Sequence, residues 1–205
     1  MSDACPPQPA TIPVLVKTVR HGDTRGWFAE TYSLTSFAAL GITCVFLQDN
    51  HSLSVPAFTL RGLHFQTPPH AQDKLVRCIR GRIFDVAVDV RKGSPTFGHW
   101  VGAELSAETG DQLFIPMGFA HGFATLEPET EVVYKCSGLY APDHDGGIRW
   151  DDPALIAIDG KSGGIGWPIF PDSIPELSAK DKRQPLLADF DSPFPYDGRP
   201  LAPLA

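Results

Sequence analysis

The sequence predicts an all-β fold, a double-stranded β-helix (jelly roll) or a related barrel, with short peripheral helices and an irregular C-terminal tail. Three observations carry that prediction. Between Val14 and Tyr140, about ten short runs rich in Val, Ile, Phe and Tyr follow one another. Glycine and proline, 19 and 20 of 205 residues, punctuate them where turns are needed. No stretch among them carries the periodicity of a long helix. Sandwiches and closed barrels have this pattern.

Residues 1–13 are small, polar and proline-rich and read as a loose N-terminal arm. Residues 14–19 form a first strand. His21-Gly22-Asp23-Thr24-Arg25-Gly26 has turn chemistry. Residues 27–32 read as a strand running into a short helix over 34–40, with Ser33 or Thr35 as N-cap and Gly41 as its stop. Residues 45–48 make another strand, leading into Asp49-Asn50-His51-Ser52.

The next run, Leu60-Arg61-Gly62-Leu63-His64-Phe65-Gln66, places an arginine and a histidine among leucines and a phenylalanine. Such polar groups are costly to bury without partners. One reading is a strand with a single satisfied core histidine. The other is a pocket, because Lys74 follows on the next segment and His121 arrives in Pro116-Met117-Gly118-Phe119-Ala120-His121-Gly122-Phe123.

Residues 74–80 and 82–90 meet at Gly81, in a hairpin or a bend between strands. In the second run Phe84, Val86, Val88 and Val90 share one face, and Asp85, Ala87 and Asp89 the other. Solvent exposure is the plain reading for Asp89. Asp85 is the better candidate to orient a histidine from a barrel's inner face. Strands follow over 97–105, 110–115, 119–126 and 131–140. A loop over 141–147 leads to Ile148-Arg149-Trp150, where the tryptophan is expected to pack on the barrel. Residues 159–166 are glycine-rich and read as mobile. Ser178-Ala179-Lys180-Asp181 has capping-box spacing. Residues 193–205 are too proline-rich for regular structure. The expected organisation is an arm over 1–13, one domain over 14–187 and a tail over 188–205.

A net charge of −7 argues against a general nucleic-acid or anionic-membrane surface, so an anionic ligand needs a local cationic patch. No apolar run reaches the length of a membrane span. No basic region followed by an apolar stretch opens the chain, so no secretion signal is expected. Cys5, Cys44, Cys78 and Cys136 lack Cys-x-x-Cys spacing. Free thiols in a reducing cytoplasm are the simplest account.

The motifs narrow the chemistry. Gly110, Pro116, Gly118 and His121 have the spacing of the second cupin motif, so this stretch resembles a cupin jelly roll. The first motif's metal ligands are missing: its place reads His64-Phe65-Gln66 with no following glutamate. His64 and His121 remain, with His70 in a proline-rich turn, against the three or more protein ligands of a catalytic transition-metal site. No bound metal is expected. No P-loop or dinucleotide fingerprint occurs, and no cysteine sits beside a histidine in sequence. Acid–base chemistry without a cofactor is left: His64 and His121 as bases, Tyr134 as an acid, Lys74 and Arg61 as cations.

Gln48-Asp49-Asn50-His51-Ser52, the run 60–66, Lys74-Leu75-Val76, the run 85–91, the run 116–123 and Ser178-Ala179-Lys180-Asp181 occur in order with near-family spacing. Together they resemble the dTDP-4-dehydrorhamnose 3,5-epimerase family. That resemblance implies a cofactor-free, cytoplasmic homodimer acting on a dTDP-4-keto-6-deoxysugar. It implies His64 as proton acceptor with Asp181 as its orienting partner, and Tyr134 as proton donor on the opposite face. Lys74 would sit at the C4 oxygen with His121 nearby. Arg25, Glu30, Gln48, Asn50 and Arg61 would hold the nucleotide and diphosphate, with Phe28 as a wall for the base. Asp145 and Lys180 match ligand-contacting positions in variable loops. An N-terminal strand exchanged between subunits is a further family expectation. Each role has a bland rival: a helix cap for Asp181, a core tyrosine for Tyr134, a structural ion pair for Arg61, simple packing for Phe28. The alternative activity is a single-centre epimerase or ketoisomerase for a related nucleotide keto-sugar. Residues 159–166 intervene before Trp167-Pro168, where the family passes quickly from one segment to the next.

Overall fold

The computed structural model describes residues 8–168 and 174–204. Two sheets face each other. The first has five strands in the spatial order β1 (Val14–Val16), β9 (Gln112–Ile115), β6 (Lys74–Arg80), β11 (Thr130–Cys136) and β4 (Gln48–Ser54). The second has six: β12 (Asp145–Gly147), β5 (Leu60–Gln66), β10 (Phe119–Thr125), β7 (Arg82–Asp89), β8 (His99–Ser106) and β13 (Ile156–Ala157). A separate hairpin joins β2 (His21–Asp23) to β3 (Gly26–Phe28). Among the described residues the one α-helix is α1 (Leu34–Ala38), with the Ser33 hydroxyl accepting from the Ser36 amide. No helix there is long and apolar enough to cross a membrane.

The period-two alternation of the strands sorts their side chains. Val76, Cys78, Ala87, Val101, Leu113, Phe119 and Val132 fill the space between the sheets. The opposite face of β7 carries Val86 and Val88 into a second cluster with Leu63, Phe65, Ile148 and Leu155. The outer face of the five-stranded sheet is partly covered by Phe37 and Ile42 from the α1 region.

Several expected boundaries shift. Gly81 (φ +76°) is a bend rather than a hairpin turn: β6 lies in one sheet and β7 in the other, and a Cβ there would press on Thr130. The strand expected over 45–48 begins only at Gln48 and runs to Ser54. The one expected over 27–32 ends at Phe28. The last long strand stops at Cys136, where the backbone turns to meet side chains from neighbouring segments. Trp167, not Trp150, packs on the barrel, and its indole N–H is held by the Trp150 carbonyl at 3.0 Å. The glycine-rich stretch 159–166 is anchored: Ile156 bridges Ser162, and Ile165 is buried.

Solvent exposure is wrong for Asp89. It is fully buried and grips Arg91 in two parallel bonds of 2.9 and 2.8 Å, while the Ser94 and Thr96 hydroxyls donate to it. Arg91 also reaches Asp197 and the Thr11 carbonyl, tying both ends of the chain to β7. Within the expected arm, residues 1–7 lie outside the described residues, whereas Ile12 sits in the core. Residues 193–204 are irregular, as expected, yet Phe194 and Leu201 are buried. Burial alone would raise the Asp89 carboxyl, but its bonds from Arg91, Ser94 and Thr96 hold it below the usual range. A depressed folded pKa stabilises above the unfolded value and stops doing so as pH falls through the folded one. Arg91→Ala is expected to cost about 3–5 kcal/mol, since it leaves Asp89 buried and unpaired. Urea unfolding at neutral pH checks this, and a loss near zero would remove Arg91 from that role.

Candidate active site

The site grows from a close approach of β5 and β10. Gly62 (φ +136°) and Gly122 lie so near each other that a Cβ on Gly62 would stand 2.5 Å from the Gly122 Cα. The ladder between these strands is irregular between His121 and Phe123, and it sets His64 directly opposite His121. Each imidazole then has its own carboxylate. His64 Nε2 meets Asp181 Oδ1 at 2.5 Å, and His121 Nε2 meets Asp85 Oδ1 at 2.7 Å.

Burial alone would raise the Asp181 carboxyl. The hydrogen bond and charge of His64, with help from Ser178, hold it below the usual range. An ionised carboxylate only accepts hydrogen bonds, so Nε2 of His64 is the donor to Asp181. Ser178 also caps the Asp181 amide at 3.0 Å, at the start of a 3-10 turn over Asp181–Arg183. The capping spacing therefore serves to present the Asp181 side chain to His64. Asp85 plays the expected orienting part for His121. Burial pushes His121 below the ordinary histidine value, so it is neutral at pH 7.

Two adjoining cavities open here, of about 260 and 380 Å³. His64, Lys74 and Tyr134 line both. The first also exposes Arg61, His121 and Asp181, and the second Gln48, Asn50, Asp145 and Lys180. Loss of hydration lowers the Lys74 ammonium's pKa, against the pull of Cys136, Asp145 and Asp85. Lys74 Nζ sits 3.5 Å from the His64 carbonyl. Burial raises the Tyr134 phenol above its ordinary value, partly opposed by Arg61. Arg61 is no structural ion pair: its guanidinium donates to Ser54 Oγ and the Leu53 carbonyl, with no carboxylate partner among the described residues. Lys180 pairs with Asp145, which also accepts from the Tyr140 hydroxyl.

A profile of the dTDP-4-dehydrorhamnose 3,5-epimerase family matches residues 12–189. This chain belongs to that family. The Salmonella typhimurium enzyme of that name is 53% identical over 167 residues, 81% of this chain and 85% of its own. A Bacillus anthracis dTDP-4-dehydrorhamnose 3,5-epimerase solved with TDP and PPi bound superposes with a TM-score of 0.78, at 46% identity, covering 85% of this chain and 93% of its own. A Legionella pneumophila dTDP-6-deoxy-D-glucose-3,5-epimerase in complex with dTDP-4-keto-L-rhamnose also gives 0.78, at 41% identity, covering 90% and 93%.

Ten of the thirteen site residues expected for a dTDP-4-dehydrorhamnose 3,5-epimerase line the two cavities; Arg25, Phe28 and Glu30 do not. Arg25 pairs with Asp23, Glu30 accepts from the Ser36 hydroxyl, and Phe28 is 72% exposed on the β2–β3 hairpin. Sequence reasoning passed over Tyr140, whose half-exposed ring lines the larger cavity, and Ser52 beside Arg61. An aromatic residue at the end of the strand expected over 131–140 was the available signal for Tyr140.

Proposed function

We propose that this protein inverts C3 and C5 of dTDP-4-dehydro-6-deoxy-D-glucose, giving dTDP-4-dehydro-L-rhamnose in dTDP-L-rhamnose biosynthesis. The observation that carries this reading is that His64, Lys74 and Tyr134 are the residues common to both cavities. A C4 ketone acidifies the protons on C3 and C5. His64, through Nδ1, takes one of them, and the electrons move onto the C4 oxygen. The Lys74 ammonium steadies that enolate. Tyr134 returns a proton from the other face, and its raised pKa keeps the phenol protonated at neutral pH until then. Arg61 offers its unpaired guanidinium to the diphosphate. Asp145, Lys180, Gln48 and Asn50 line the larger cavity, whose Tyr140 ring is a stacking surface for the base. No step draws on a metal or cofactor.

The working form in this reading is a cytoplasmic homodimer. Exposed Trp27 and Phe28 on the hairpin support that, because they offer apolar surface that a second copy can cover. Arg25, Phe28 and Glu30 then complete the partner's cavity instead of their own.

The proton spectrum of the keto-sugar in deuterated water tests the activity. Deuterium at both C3 and C5 is expected, whereas exchange at one carbon alone would establish the single-centre alternative. Tyr134→Phe is expected to retain deuterium wash-in while net inversion falls about 10²-fold. Equal loss of exchange and inversion would take the donor role from Tyr134.

A further inference from the structure

Gln66 ends the motif that begins at Leu60, and the proton chemistry leaves it unused. It is 4% exposed, and its side-chain amide makes three hydrogen bonds. Its amide nitrogen donates to the carbonyls of His70 at 2.7 Å and Leu139 at 3.2 Å, and its oxygen accepts from the Ala141 amide at 2.8 Å. Two more glutamines act on the same segment. Gln72 donates to the Gly138 carbonyl at 2.7 Å. The Gln48 oxygen accepts from the Tyr140 amide at 3.0 Å, and its nitrogen donates to Asn50. The Ser137 amide donates to the Asp73 carbonyl. Residues 137–141 thus have no regular structure, yet neighbouring side chains take up the backbone at four consecutive residues, 138–141.

The residue this cradle presents is Tyr140. Its ring is 58% exposed over the larger cavity, and its hydroxyl donates to Asp145, the register partner of Gln66. An exposed ring on an irregular segment ordinarily samples many positions, and fixing it on binding costs entropy. Here that order exists beforehand.

We infer that Gln66 is a positioning residue, which holds Tyr140 as a preformed stacking platform for the nucleotide base. The inference rests on the nucleotide-sugar reading above. It also gives Gln48 a second role: its oxygen supports the Tyr140 backbone, leaving its remaining N–H to face a ligand.

Gln66→Leu keeps the bulk and removes the three bonds. The measurement is titration calorimetry with dTDP and, separately, inorganic pyrophosphate, alongside KM and kcat. Loss of a stacking platform is expected to weaken dTDP about tenfold and to raise KM more than it lowers kcat, with pyrophosphate binding unmoved. In a Tyr140→Ala background, Gln66→Leu is expected to add nothing further. Equal weakening of both ligands, undiminished dTDP affinity, or full additivity with Tyr140→Ala would overturn the inference. Should Gln66→Leu fail to fold, Gln72→Leu removes one bond to the same segment and is expected to show the same selective loss in smaller measure; pyrophosphate weakened alongside dTDP would overturn it there too. If the unaltered protein does not bind dTDP, the nucleotide reading itself falls, and this inference with it.

Discussion

His64→Ala is expected to lower turnover about 10⁴-fold and to abolish deuterium wash-in at C3 and C5, with dTDP binding largely kept. The size follows from what the substitution removes. Asp181 holds the imidazole at 2.5 Å, so the lost group is a base already aimed. His64 is only half-buried on β5, between Leu63 and Phe65, which point away into the second core cluster. Truncation therefore leaves that packing in place, and the fold is expected to survive. A competing base stands close by, because His121 lies opposite in the ladder and is neutral. That makes the experiment sharp. If exchange persists at an unchanged rate, the base is His121 and the proposed roles of the two dyads must be reversed.

How much of this was legible in the sequence depends on which force decided each feature. The sheets were legible because alternation on β7 places Val86 and Val88 on one side and Asp85 and Ala87 on the other whatever the neighbours. The site was legible because Arg61, His64, Lys74 and His121 sit in apolar strands where unpartnered burial is costly. Asp89 was misjudged because its partners Arg91, Ser94 and Thr96 lie beyond the strand's end, and alternation describes only the strand. Trp167 was not singled out because nothing local says which indole faces the barrel. Tyr140 and Gln66 were passed over because their placement is tertiary: an irregular segment is ordered by side chains from β4, β5 and the loop before β6. Arg25, Phe28 and Glu30 lie away from both cavities, and no local feature of the sequence indicates that.

Lys74→Met is expected to slow the reaction about 10³-fold with little change in KM. A base contributes about 10²–10⁴-fold, roughly 3–5 kcal/mol, whereas enzymes typically supply about 8 kcal/mol or more. The remainder must come largely from charge stabilisation at the C4 oxygen, and Lys74 is the cation that lines both cavities. The same ammonium predicts a pH dependence. Desolvation lowers its pKa below the ordinary lysine value, so the stabilising charge is lost as pH rises, earlier than from an ordinary lysine. Turnover is then expected to fall on the alkaline side before an ordinary lysine would titrate. In Lys74→Met that limb should vanish from the residual activity, leaving the later loss of the phenolic proton of Tyr134, whose pKa is shifted upward. An alkaline limb of unchanged position in Lys74→Met would assign it to another group and take the enolate contact away from Lys74.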